Sequence, residues 1–163
     1  MSRPAVLLTG VGKRYDIVSA FAQHALVVAA DPSPLAPAQY AADVRVAPPR
    51  ADDQSYVPFL RELCAQHGVV AVVPLTDLDL EVLGDSGLPA FVPAAEICRR
   101  TFDKFLAHRL LLEHGLPSPP TWLPGEEPQG FPAVVKPRQG SGSRSIHPAA
   151  DAREAEFFAG YVD

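Results

Sequence analysis

The sequence predicts an α/β fold: a Rossmann-like parallel sheet followed by the beginning of a second domain. Three observations predict it. Short Val/Ala/Leu-rich runs alternate with segments of helical spacing. The runs are nearly continuous in apolar residues, as strands buried on both faces must be. After residue 93 the alternation stops, and a long helical stretch and a Pro-rich segment take over.

In order, PAVLLT is a short apolar run with a glycine turn behind it and reads as a buried strand. YDIVSAFAQH places Ile17, Val18, Phe21 and Ala22 at helical spacing. ALVVAAD is a second buried strand, PSPLAPAQYAAD a loop by composition, and VRV a short third strand. In DDQSYVPFLRELCAQHG, Phe59, Leu60, Leu63 and Cys64 form a helical stripe that Gly68 ends. VVAVVP is another strand. TDLDLEVLG opens a helix capped by Thr76 or Asp77, and LPAFVP is a further strand. Residues 1–93 thus read as one domain. Residues 94–130 hold a helical stretch, broken near Thr101 and ended by Gly115, then a Pro-rich linker in which Trp122 is expected to anchor on the core. Residues 131–163 start another domain: the strand FPAVVKP, the loop RQGSGSRS, and a helix capped by Asp151 with Glu154 as capping-box partner. No partner strand for FPAVVKP is visible in the sequence.

Composition narrows the function. The 163 residues carry a net charge of −5 and no basic block, which argues against nucleic acid as the main partner. No stretch approaches a membrane span. Cys64 and Cys98 have no zinc spacing and read as reduced core residues of a cytoplasmic protein. The 18 prolines, about twice the usual share, fall mostly between periodic segments and punctuate loops.

Two glycine loops are candidate anion sites. The first is LLTGVGKRYD. A phosphate loop of the GxxxxGK[ST] type fails here at Leu7 and Arg14, and the dinucleotide pattern GxGxxG fits Gly10 and Gly12 but meets Tyr15 third. Asp31 follows at the distance of a ribose-binding acid. Two readings stand: glycines that turn the chain tightly from strand to helix, or a site for a small anionic substrate served by Gly10, Gly12, Lys13 and Arg14. The second loop is better placed. Lys136 ends a strand, Pro137 forbids further ladder donation, and Gly140, Ser141, Gly142 and Ser143 can turn amides toward phosphate oxygens. Such a loop has few apolar anchors and is expected to be mobile. Asp77 and Asp79 follow a strand at the carboxyl edge where α/β ligands bind; the alternative is a helix cap with Asp79 in solvent. His67 and His114 each precede a glycine at a helix end and read as structural.

Asp103-Lys104 opening a helix, then GLPSPPTW, then KPRQGSGS, with LLTGVGKRYDIV at the front, resembles the ATP-grasp superfamily. The chain is most similar to stand-alone proteins like the carbamoyl-phosphate synthase large subunit. The resemblance implies a pre-ATP-grasp domain followed by the start of an ATP-grasp domain. It implies that Lys104 and Lys136 hold the ATP phosphates and that Gly140 to Ser143 close over them. It further implies ATP and Mg2+ as cofactors, a carboxylate activated as an acyl phosphate, and attack by an amine. The family's metal ligands and catalytic groups lie further downstream than Asp163. The chain therefore reads as the N-terminal part of such a ligase, with no metal site and little activity of its own. The expected partners are ATP and a small carboxylate or amino-acid-like substrate; a homodimer is left open. Competing readings are an NAD-type module built on Gly10, Gly12 and Asp31, and a non-catalytic small-molecule binding domain.

Overall fold

The computed structural model describes residues 3–140 and 142–162. The chain divides into two compact units, Met1–Cys98 and Arg99–Asp163.

The first unit is a four-stranded parallel sheet. β1 (Ala5–Thr9), α1 (Tyr15–Ala22), β2 (Leu26–Ala30), β3 (Val44–Val46), α2 (Tyr56–His67) and β4 (Val69–Pro74) follow one another, and the strand order is β3-β2-β1-β4. Every residue of β1 is buried, as a central strand covered on both faces requires. Alternate side chains go to opposite faces. Val6, Leu8, Val27 and Ala29 join Val18 of α1 in one core. Leu7, Val28, Ala30 and Val72 join Leu60, Leu63 and Cys64 of α2 in the other. Gly68 ends α2 with φ 63°, in the left-handed region, its N–H donating to Cys64 O. At the start of β4 the register with β1 shifts, so that Ala5 faces Val69 but Val6 faces Ala71. The extra residue of this bulge is Val70, 61% exposed.

Two stretches differ from the sequence expectation. PSPLAPAQYAAD contains a 3-10 turn, Pro37–Ala41, whose Ala38 and Gln39 are buried. LPAFVP forms only a bridge, Ala90 to Val72, because Pro89 has no N–H to continue a ladder. Beyond β4 the chain makes a 3-10 turn, Asp77–Asp79, capped by Thr76 Oγ1, and then α3 (Leu80–Gly84).

α4 (Ala95–Phe102) and α5 (Lys104–Glu113) divide the predicted long helical stretch. The break falls at Asp103, whose extended backbone (ψ 114°) stops one helix and caps the next. α5 ends at Gly115 (φ 68°), where Gly115 N–H donates to Leu112 O and Leu116 N–H to Leu111 O. His114 Nδ1 meets Leu110 O at 2.9 Å in the same last turn. Trp122 packs edge-on against Phe131, with centroids 6.3 Å apart. β5 (Ala133–Val135) does have a partner, contrary to the sequence reading: β6 (His147–Ala149) pairs with it antiparallel. α6 (Ala152–Ala159) packs on this hairpin, His147 stacking on Phe158 at 4.6 Å. Asp151 caps α6 through Glu154 N–H, while Glu154 Oε2 accepts from Ala150 N–H.

Candidate functional site

In the first unit the candidate residues collect at the carboxyl edge of the sheet. The chain runs from β1 to β2 on one side and reaches β4 on the other, so the order of strands reverses between β1 and β4. Ligands of open α/β sheets bind at such a switch point. Gly10 sits in the fork: its N–H donates to Ala30 O at 2.8 Å, and Leu75 N–H donates to Thr9 O at 2.8 Å. Gly10 has φ 59°, and a Cβ there would stand 2.3 Å from Thr76 Cγ2. Glycine is therefore demanded by backbone and by space, without any ligand. Gly12 has φ 50°, and its N–H donates to Asp31 Oδ2 at 2.8 Å. Asp31 Oδ1 accepts from Ser33 N–H at 2.8 Å, and the residue is 8% exposed. The acid at ribose-binding spacing is thus engaged by two amides of its own chain. Lys13 and Arg14 are exposed at the start of α1, with Arg14 Nη1 at 3.5 Å from Gly10 O.

Asp77 is exposed at the end of β4; Asp79 is not. Instead of standing in solvent, Asp79 is 1% exposed, and Tyr56 Oη donates to its Oδ2 at 2.8 Å. Burial pushes the Asp79 carboxyl above the usual range, with the Thr9 and Tyr56 hydroxyls opposing. Burial and the neighbouring Asp79 charge drive the Tyr56 phenol far up. Among the described residues, Thr9 Oγ1 and Asp79 Oδ1 are buried without a hydrogen-bond partner. The Tyr56–Asp79 bond ties α2 to the turn after β4.

In the second unit the structure brings together residues 35 positions apart. Asp103, 4% exposed, caps α5: its Oδ1 accepts from Phe105 N–H at 2.9 Å and Leu106 N–H at 3.1 Å. Its Oδ2 accepts from Arg138 Nε at 3.0 Å and Nη2 at 2.7 Å. Burial pushes this carboxyl up, but the Arg138 guanidinium and the two amides outweigh it and hold the group below its ordinary value. Arg138 also lies over the Phe105 ring, 5.7 Å from its centroid. Lys104 N–H donates to Arg138 O at 2.8 Å. Lys104 Nζ donates to Gly140 O at 3.1 Å and lies 3.4 Å from Arg138 O. Lys136 is exposed directly after β5. Gly140 (φ 119°), Gly142 (φ 74°), Ser143 (φ 56°) and Ser145 (φ 53°) all have positive φ. Ser141 lies outside the described residues. Sequence reading singled out Lys104 and the loop but missed Asp103 and Arg138 as their support. The available signal was a cap-type residue directly before the lysine.

Among the described residues no three His, Cys, Asp or Glu side chains stand close enough to hold a metal ion, and no helix is long and apolar enough to cross a membrane.

A family model described as "PylC-like, N-terminal domain" matches residues 6–87, just over half of the chain. The chain belongs to the PylC-like N-terminal-domain family. Solved structures extend the likeness past that domain. N5-carboxyaminoimidazole ribonucleotide synthetase from Thermotoga maritima matches with a TM-score of 0.70 at 21% identity, over 94% of this chain and 43% of its own. The L-amino acid ligase of Bacillus licheniformis matches with 0.75 at 16%, over 99% and 42%. N5-carboxyaminoimidazole synthetase from Staphylococcus aureus, solved with ADP, matches with 0.74 at 17%, over 98% and 45%. No curated protein matches the chain. The fold of this PylC-like chain is that of the N-terminal part of ATP-grasp enzymes, and the chain spans less than half the length of these solved structures.

Proposed function

We propose that the PylC-like chain is the N-terminal part of an ATP-dependent carboxylate–amine ligase, in which the second unit grips the nucleotide's phosphates and the first receives the small substrate. The observation that carries this reading is the meeting of Lys104 with the base of the glycine loop. A cation and a loop rich in positive-φ residues come together from 36 positions apart, the kind of frame that a polyphosphate needs. Lys104 and Lys136 supply the point charges, and Gly140 to Ser143 the amides. Lys104 exchanges its loop carbonyls for phosphate oxygens. Lys136, already exposed, approaches from the strand end. In the first unit Lys13 and Arg14 attract the substrate's carboxylate and Asp77 its amine, a division set by charge. When bound, ATP supplies the phosphoryl group that turns the carboxylate into an acyl phosphate. The resemblance also implies magnesium, which would neutralise charge on the phosphates when bound.

Titrating ATP and NAD separately into the chain tests the proposal. Weak ATP binding is expected, lost in Lys104→Met and weakened about tenfold in Lys136→Ala, for the charge–phosphate contact that each removes. NAD binding that ignores both substitutions, with no ATP binding, would sink it. An NAD-type module has the engagement of Asp31 by Gly12 and Ser33 against it.

A further inference from the structure

We infer that Asp103 is the positioning residue of the phosphate site: one buried carboxylate sets Lys104 and the root of the glycine loop as a single piece. The inference rests on the reading of Lys104 as a phosphate ligand, and it assigns work to two residues with no role in that reading. Asp103 divides its oxygens. Oδ1 takes the first two free amides of α5, those of Phe105 and Leu106. Oδ2 takes both nitrogens that Arg138 offers, Nε and Nη2. Arg138 is then held at three points by consecutive residues: its guanidinium by Asp103, the face of that group by the Phe105 ring, and its carbonyl by Lys104 N–H. The two segments cannot slide past one another without breaking a charged hydrogen bond inside a site that is 4% exposed at its acid. Lys104 is the residue between the two gripping side chains. Its Cα is therefore fixed relative to Arg138, while its ammonium, on a flexible stem, remains free to trade Gly140 O for an anion.

Amide hydrogen exchange on the 163-residue chain, read residue by residue by NMR, tests this. Asp103→Asn keeps a good helix cap but loses the charge that holds Arg138. The expected result is a split: Phe105 and Leu106 amides keep their protection, and the Lys104 amide exchanges about tenfold faster. Arg138→Gln should give the same split, and the double variant no further change, because both remove one shared contact. Unchanged Lys104 protection in either variant overturns the inference. So does equal loss at Lys104, Phe105 and Leu106, which would mark Asp103 as a cap and nothing more. Should Asp103→Asn fail to fold, Arg138→Gln, at a half-exposed side chain, carries the readout alone. An ATP titration of the same samples separates the two claims. A half-saturation point raised about tenfold in Asp103→Asn, from the displaced cation, supports both. If ATP shifts nothing in the wild type while the split appears, the positioning pair stands and the nucleotide reading falls.

Discussion

At the scale of single residues, two glycines with nearly equal φ make different demands. Gly10 and Gly68 have φ 59° and 63°, yet a Cβ at Gly10 would overlap Thr76 and one at Gly68 would meet nothing within 4 Å. Gly68→Ala should therefore cost only the left-handed strain, about 1 kcal/mol. Gly10→Ala should cost about 3 kcal/mol or more, strain and overlap together. Equal shifts in denaturant midpoint would refute the distinction. Asp79 makes a second residue-scale case. Its carboxyl titrates higher folded than its ordinary 3.8, chiefly through burial. The folded state thus holds the proton more tightly than the unfolded one. Its contribution is whole below the ordinary value and drains away as pH rises through the folded value. Exposed Asp77 adds to the rise, and the Tyr56 and Thr9 hydroxyls oppose it. Wild type should lose stability relative to Asp79→Asn, whose amide can also donate to Thr9, as pH rises from the ordinary carboxyl value of 3.8. Parallel pH profiles of melting temperature for the two proteins would count against a buried acid that titrates.

At the scale of elements, helices here begin and end on short-range chemistry that the sequence states openly. Asp151 before α6, Gly68 after α2 and Gly115 after α5 were all legible because a cap acts within three residues of its own position. Asp151→Ala should destabilise α6 by about 1 kcal/mol, seen as lost far-UV helical signal on mild heating; an unchanged signal would mean that packing of Phe158 on His147 alone holds the helix. β6 was not legible. Its three residues, His147–Ala149, include a proline and carry no alternation, so only the pairing with β5 makes them a strand. LPAFVP erred the other way, since its apolar run suggested a strand that Pro89 does not permit.

At the scale of the molecule, the parallel sheet was readable because its central strands β1 and β2 are buried and β1, β2 and β4 each announce themselves as an unbroken apolar run. Both cores lie wholly within the first unit. A chain of residues 1–98 should therefore unfold as one cooperative transition, at a denaturant midpoint within about 10% of the first transition of the full chain. A broad, non-cooperative melt would show that this unit borrows its stability. Of the candidate site, the single residues were readable and their partners were not. The glycine loop stands out by composition and Lys104 through the family resemblance, but Arg138 joins Asp103 across 35 positions and Tyr56 joins Asp79 across 23. Such pairs leave no local pattern, because folding alone brings the partners together.

The outer side of β4 has a consequence for life in a crowded solution. A parallel sheet ending in a bare strand offers a row of unpaired amides and carbonyls, on which a second molecule can continue the sheet. Here that row is interrupted at every step. Val70 bulges out of register, Val72 is already paired by Pro89 O and Phe91 N–H, and Pro74 closes the strand with a residue that donates nothing. The prolines that first looked like mere punctuation thus also blunt the sheet against fibrous self-association. Replacing Pro89 and Pro74 by valine should leave the fold in place but raise the thioflavin-positive fraction after prolonged incubation.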